Sequence, residues 1–235
     1  MSTIPTFISV ILDETGSMRG QEKNVIDSTN EYITGHREIP ECYFNLLKFD
    51  AYNTWVAPTF NNLNEAFDSK PELDVRVLCE KQAIKDVDLL TEQDYNPRGM
   101  TNLYDAVGTA VTQLETQVAN LKESNVILVI NTDGQENASK EYTAETIKTL
   151  LKDKQENHNW QVIFLGADLS KAQSSQMSAS MGISSDMTFS YSKCATRSVH
   201  SDLTAASTLY ASAASSGSMS NNDIKAAFTS MDKYK

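Results

Sequence analysis

The stretch that decides the fold is TFISVILDETGSM, residues 6–18. Its first part, Thr6 to Leu12, is an apolar, β-branched run of the kind found in buried strands. The run ends at Asp13, and hydroxyl side chains follow at Thr15 and Ser17. Ligands of open α/β sheets bind at the carboxyl ends of the strands. The stretch therefore predicts a central parallel strand that ends in a binding loop.

Comparable apolar runs recur along the chain and are separated by helical patterns. Further strands are predicted at Tyr43–Phe49, Asn53–Phe60, Asn125–Ile130 and Trp160–Leu165. The segment 61–98 predicts a short helix and one strand around Asp74–Glu80. Strands that alternate with helices predict an α/β fold, a doubly wound and mostly parallel sheet flanked by helices on both faces.

The clearest helical pattern lies between Asn102 and Leu121, where apolar residues recur every three or four positions. Two more helices are predicted at Ser17 to about Arg37 and around Tyr142–Leu151. Beyond Asp168 the chain is rich in Ser and Ala but keeps a partial helical rhythm. This part predicts a packed helix with Leu203, Leu209 and Tyr210, a break at Gly217, and a last helix around Asp223–Met231.

Composition restricts the class of protein. The 235 residues, 40% hydrophobic and 22% charged, predict a single folded domain over residues 1–235. The net charge of −11 argues against a nucleic-acid partner. Three widely spaced cysteines predict reduced thiols. The sequence begins with no signal-like segment and has no apolar run long enough to cross a bilayer, so we expect a cytoplasmic protein without a membrane partner.

Two of the predicted strands end in aspartate, Asp13 and Asp133, and converging carboxylates require a shared proton or a cation. The hydroxyls of Thr15, Ser17 and Thr101 offer neutral oxygens to the same place. Mg²⁺ prefers such oxygen ligands, whereas Ca²⁺ takes more of them. The pattern predicts a Mg²⁺ site, with Mn²⁺ or Ca²⁺ as the alternatives. Gly16 is expected to allow the tight turn after the first strand.

Three motifs carry a resemblance to a known family: DETGSM at 13–18, GMTNL at 99–103 and TDG at 132–134. Together they resemble the von Willebrand factor type A (vWA) domain and its metal-ion-dependent adhesion site (MIDAS), with Thr15 at the middle hydroxyl position. The resemblance covers about residues 4–168, the expected core, and leaves residues 169–235 as a divergent Ser/Ala-rich helical part. It points to a small, stand-alone, intracellular member.

The resemblance implies how the site would work. Ser17 and either Thr15 or Thr101 would bind the metal directly, whereas Asp13 and Asp133 would act mostly through water and by charge. The remaining coordination position would go to an Asp or Glu of a partner protein. The predicted function is therefore Mg²⁺-dependent protein binding, not catalysis.

Two other functions stay open at this level. One is a metal-dependent hydrolase or phosphotransferase, although no motif for a general base or a phosphate loop is present. The other is a structural assembly subunit with a stabilising metal. The sequence predicts no oligomeric state.

Several polar residues near the motifs have simpler interpretations. Glu14 is expected at the exposed rim of the site, and Asp105 is expected to favour a helix N-terminus by its charge. The loop of Gln135, Glu136 and Asn137 is expected to cap the helix that follows it. The histidines are expected at the surface, at His36, His158 and His200.

Overall fold

The computed structural model describes residues 3–52, 72–215 and 221–235. These residues form a six-stranded sheet with the order β3-β2-β1-β4-β5-β6. The strands are β1 (Thr6–Asp13), β2 (Cys42–Tyr52), β3 (Glu72–Ala83), β4 (Asn125–Thr132), β5 (Gln161–Ala167) and β6 (Thr188–Tyr191). β3 runs antiparallel to β2, and the other neighbours pair in parallel. The predicted doubly wound, mostly parallel sheet is confirmed.

Helices cover both faces of this sheet. They are α1 (Glu22–Gly35), α2 (Leu103–Val118), α3 (Ala144–Asn157), α4 (Lys171–Ser180), α5 (Thr196–Ala214) and α6 (Asn221–Ala227). Alternate side chains of β1 enter two separate cores: Ile8 lies with residues of α1 and α5, and Phe7 lies with residues of α2 and α3. Within the described ranges, no helix is both long and apolar enough to span a bilayer.

Most predicted elements are present. The four parallel strands and α2 are confirmed, and the predicted strand at 74–80 lies within β3. The last helix is confirmed in part, as α6 followed by a 3₁₀ segment at Thr229–Tyr234. The predicted strand Asn53–Phe60 and the break at Gly217 lie outside the described residues. The sequence reasoning did not identify α4 and β6.

The helix predicted to start at Ser17 begins later. Gly16–Met18 form a single 3₁₀ turn, and α1 begins at Glu22. Gly20, between them, has a φ of 82°, which a right-handed helix does not accommodate. The tight turn predicted at Gly16 is present, since Met18 N–H donates to Thr15 O at 3.0 Å, although Gly16 is not among the glycines with positive φ. The polar loop after β1 is therefore separate from the helix.

The Ser/Ala-rich α5 packs closely on α1. A Cβ on Gly35 would lie 2.3 Å from the Thr204 side chain, so only small residues allow this approach. Leu203 and Tyr210 are buried as predicted, whereas Leu209 is 58% exposed and faces away from the core. The small side chains therefore serve helix packing, and the predicted packed helix is present although Leu209 lies on its exposed side.

Two of the three histidines predicted at the surface are buried. His36 is fully buried and His200 is 3% exposed. Removal from water lowers the pKa of each to about 4, because burial disfavours the charged ring. His158 lies at the surface as expected. The prediction failed because the part of the chain that covers His36, α5, is distant in sequence and carries few large apolar residues.

Candidate metal centre

The doubly wound topology brings the polar ends of β1 and β4 together. These strands are neighbours in the sheet, with Leu12 opposite Asn131, although β2 and β3 lie between them in sequence. Asp13 ends β1 and Asp133 follows β4, so both carboxylates lie at the same edge, beside the switch in strand order.

The carboxylate of Asp13 is held on both sides. Its Oδ1 accepts the Thr15 backbone N–H at 2.8 Å, and its Oδ2 accepts the Thr132 hydroxyl at 2.5 Å. Asp13 is 1% exposed. Burial raises its pKa to about 6; the hydrogen bonds from Thr132 and Thr15 act in the opposite direction, and the charge of Asp133 adds to the rise. The Asp13 carboxylate is thus held in one orientation, and a nearby cation would stabilise its charged form.

A chain of hydroxyls links the β1 loop to Asp133. The Ser17 hydroxyl donates to Asp133 Oδ1 at 2.6 Å, and the hydroxyl oxygens of Thr15 and Ser17 are 3.1 Å apart. The Ser17 hydroxyl gives its hydrogen to Asp133, and the Thr15 hydroxyl lies within hydrogen-bond distance of Ser17. The oxygens of these three side chains therefore form one continuous cluster.

Thr101 joins the cluster from a third loop. A Cβ built on Gly134 would lie 3.0 Å from Thr101 Oγ1 and 3.8 Å from Ser17 Oγ, so both hydroxyls border the same glycine. The Thr101 backbone N–H donates to Asn137 Oδ1 at 2.9 Å, and Gly16 N–H donates to Gly99 O at 3.2 Å. The five predicted site residues thus gather at one edge of the sheet: Asp13, Thr15, Ser17, Thr101 and Asp133.

Sequence reasoning missed three residues that contact this cluster. Thr132 donates a hydrogen bond that orients Asp13. Its position in the sequence could have identified it, since it precedes Asp133 at the end of an apolar strand. The Tyr95 hydroxyl donates to the backbone oxygen of Asp13. The ammonium of Lys193 lies 2.5 Å from Asp133 Oδ2 and 2.8 Å from the Ser17 backbone oxygen. Nothing local marks Tyr95 or Lys193, because both come from distant segments.

Glu14 does not lie at the exposed rim, and that expectation was wrong. Its side chain is fully buried and forms an ion pair with Lys48 Nζ at 3.1 Å and another with Arg76. Asp50 continues the network, at 2.8 Å from Arg76 and 2.9 Å from Arg98. A buried carboxylate needs such partners, since an unpaired charge in the interior is costly. Glu14 is therefore part of the scaffold under the loop.

Asp105 and Glu136 hold the loop after β4. Asp105 lies in the first turn of α2, and its carboxylate accepts the N–H groups of Lys140, Glu141 and Tyr142 at 2.9–3.0 Å. Glu136 accepts the N–H of Tyr104 at 3.0 Å, so this loop caps α2. The following helix, α3, is capped by Thr143 instead. The expectation that the loop caps the helix after it was therefore wrong.

The donor set fits a small, hard divalent cation. Three hydroxyls and two carboxylates converge, and Asp133 already pairs with a cationic group, Lys193. Within residues 3–52, 72–215 and 221–235, no group of three or more His, Cys, Asp or Glu side chains could hold a metal by itself. A metal at this edge would therefore depend on hydroxyl oxygens, which suit Mg²⁺ better than softer ions.

No protein-family model and no curated protein sequence matches the chain. Solved structures do resemble it. Proximal thread matrix protein 1 from the mussel byssus aligns with a TM-score of 0.57 and 12% identity over 86% of this chain. The pilus adhesin SpaC from Lactobacillus rhamnosus GG aligns with a TM-score of 0.60 and 11% identity over 87% of this chain. The vWF domain of the pilus tip protein Mfa5 from Porphyromonas gingivalis aligns with a TM-score of 0.55 and 9% identity over 87% of this chain.

The chain spans 48% of the mussel protein and 30% of SpaC, but 95% of the Mfa5 domain. One structure of the mussel protein has zinc in its MIDAS motif. At these identities the similarity concerns the fold alone. This chain therefore has the mostly parallel α/β fold of vWA domains, with the predicted oxygen cluster at its carboxyl edge.

Proposed function

We propose that the domain is a protein-binding module in which the clustered oxygens hold Mg²⁺ and a partner's Asp or Glu side chain completes the site. The observation that carries this proposal is the hydroxyl chain from Thr15 through Ser17 to Asp133, with Thr101 beside it. These oxygens come from three separate loops that meet at one edge of the sheet.

Each group has a distinct role in this proposal. Ser17, Thr15 and Thr101 provide neutral oxygens, whereas Asp13 and Asp133 provide negative charge. A divalent cation held mainly by neutral ligands keeps a strong attraction for an additional anionic oxygen, such as a partner's carboxylate. Thr132 keeps Asp13 in one orientation, and Gly134 leaves the space between Thr101 and Ser17 open.

Binding is better supported than hydrolysis. Among the described residues, the side chains that hydrogen-bond to the two carboxylates are those of Thr15, Ser17, Thr132 and Lys193, and none of them is a histidine or a further acid. Glu14, the nearest acid in sequence, is engaged by Lys48 and Arg76 and cannot act as a base. The similarity to a pilus adhesin and to a protein with a metal in its MIDAS motif agrees with a binding role.

Metal binding is tested first by thermal unfolding and calorimetry with MgCl₂. At about ten times the dissociation constant, Mg²⁺ should stabilise the wild type by about 1.4 kcal/mol, which raises Tm by roughly 3–6 °C for a domain of this size. Asp133→Asn should lose this shift, while Asp88→Asn, an exposed aspartate away from the site, should keep it. No shift for the wild type with millimolar Mg²⁺ or Mn²⁺ would contradict the proposal.

Partner binding is tested with immobilised wild-type protein. A partner should bind in Mg²⁺, but not in EDTA and not to Asp133→Asn. Replacing the partner's contacting Asp or Glu by its amide should weaken binding by tenfold or more, about 1.4 kcal/mol. Binding that persists in EDTA would contradict the metal-dependent role, and Mg²⁺-dependent turnover of a phosphate ester would favour the hydrolase.

A further inference from the structure

Lys193 places a positive charge inside the oxygen cluster. Its ammonium lies 2.5 Å from Asp133 Oδ2 and donates to the Ser17 backbone oxygen at 2.8 Å. Its side chain is 17% exposed, and that of Asp133 is 3% exposed. A pair so shielded from water is stronger than an ordinary surface ion pair.

The backbone of Lys193 is fixed in this position. It follows β6 and begins a single 3₁₀ turn, Lys193–Ala195, that leads directly into α5. Its N–H donates to Asp168 Oδ1 at 2.7 Å, and its carbonyl accepts the Thr196 hydroxyl at 2.7 Å. The ammonium is thus delivered to Asp133 from an anchored backbone, and only the flexible side chain is able to withdraw.

Both oxygens of Asp133 are occupied in this arrangement, Oδ1 by the Ser17 hydroxyl and Oδ2 by Lys193. A divalent cation that uses Ser17 and Asp133 would lie within a few ångströms of the ammonium. Like charges at that separation repel, and the repulsion is less screened beside the 3% exposed Asp133 side chain than at an open surface. The metal and the ammonium therefore cannot both be accommodated at Asp133.

We infer that Lys193 is a tethered cation that competes with the metal for Asp133, so that it sets the metal concentration at which the site fills. This inference rests on the proposed metal site. In the metal-free protein Lys193 neutralises Asp133 and holds the β1 and β4 loops together. When the metal binds, the lysine side chain leaves Asp133 and becomes more exposed at the rim of the site.

The experiment compares Mg²⁺ affinity by calorimetry for the wild type and three variants. Lys193→Met should bind Mg²⁺ about tenfold more tightly, equivalent to roughly 1.4 kcal/mol, and should lower the Tm of the metal-free protein. Lys193→Arg keeps the charge and should remain near the wild type. Lys122→Met is the matched control, because exposed Lys122 precedes the opposite end of β4, roughly 25 Å away.

A second measurement follows the lysine itself and does not depend on how the variants fold. Amine labelling of the wild type, located by mass spectrometry, should show Lys193 reacting several times faster with Mg²⁺ than in EDTA, with Lys122 unchanged. Mg²⁺ binding that is equal or weaker in Lys193→Met, or labelling that does not respond to Mg²⁺, would overturn the competition but leave the metal site intact. Absence of Mg²⁺ and Mn²⁺ binding in all four proteins would overturn both.

Discussion

At the scale of single residues, the candidate metal site depends on the missing side chain of Gly134 as well as on the oxygens of Thr101 and Ser17. Gly134 follows Asp133, and the space beside its Cα is bordered by Thr101 and Ser17. Gly16, in the loop after β1, has ordinary room for a methyl group, since its nearest neighbour would be Gly99 O at 3.5 Å. The two glycines therefore differ in what they contribute to the oxygen cluster.

Gly134→Ala should weaken Mg²⁺ binding by about tenfold. The added methyl would lie 3.0 Å from Thr101 Oγ1, which forces this hydroxyl to shift by a few tenths of an ångström from its place in the cluster. The change in unfolding free energy should stay near 1 kcal/mol, because the contact is with a side chain at the edge of the fold. Calorimetric titration with MgCl₂ measures the affinity.

Gly16→Ala is the control, and its affinity should stay within a factor of about two of the wild type. Equal Mg²⁺ affinity in Gly134→Ala and the wild type would show that the Thr101 hydroxyl is not used.

At the scale of elements, Glu14 joins the end of β1 to β2, to β3 and to the segment that leads to Thr101. Its carboxylate pairs with Lys48 of β2 and Arg76 of β3. Its backbone N–H donates to Phe49 O at 2.9 Å, and its carbonyl accepts the Arg98 N–H at 2.7 Å. These ion pairs and hydrogen bonds therefore anchor the start of the loop that carries Thr15 and Ser17.

Glu14→Gln should lower the unfolding free energy by about 3 kcal/mol, since it leaves the buried ammonium of Lys48 without its carboxylate partner. Urea denaturation, followed by circular dichroism, measures the loss. The double variant Glu14→Gln, Lys48→Met should recover part of it, because the unpaired charge is removed as well. A single-variant loss below about 1 kcal/mol, or losses that simply add in the double variant, would contradict this assignment.

At the scale of the whole molecule, α1, α5 and the sheet enclose ionisable groups whose protonation is linked to folding. His36 is covered by α5 and donates through Nδ1 to Tyr32 O at 2.7 Å. Its pKa falls from 6.5 to about 4 on folding. Between these values the unfolded chain binds a proton that the folded chain does not bind. The stability that depends on neutral His36 is therefore complete above pH 6.5 and is lost as the pH falls toward 4.

His36→Gln should remove this contribution. Between pH 7 and pH 4 the wild type should lose up to about 3 kcal/mol more unfolding free energy than the variant does. Comparison of the two proteins is needed because Asp13, whose pKa is raised to about 6, acts in the opposite direction in both. Urea denaturation across this pH range measures the difference.

His158→Gln is the control, since the His158 side chain is 52% exposed, and this variant should follow the wild type. A His36→Gln profile parallel to that of the wild type would show that folding does not lower the pKa of His36.

Much of the fold and the site could be predicted from local sequence patterns. Short apolar runs that end in Asp13 and Asp133 identify central strands and the edge where they end. The hydroxyls at 15, 17 and 101 have no apolar role, and their type indicates a hard cation. The strands and the type of ligand could be predicted because strand burial and ligand chemistry depend on residues that are close in sequence.

The tertiary structure alone decided which other side chains meet those residues. Glu14 looked exposed, but Lys48 and Arg76 arrive from β2 and β3 and make its burial tolerable. Lys193 reaches Asp133 only because β6 lies beside β5 and the chain turns back toward the site before α5. The physical reason is that electrostatic pairing and burial act through space, between segments that strand order brings together, and no local pattern encodes that order.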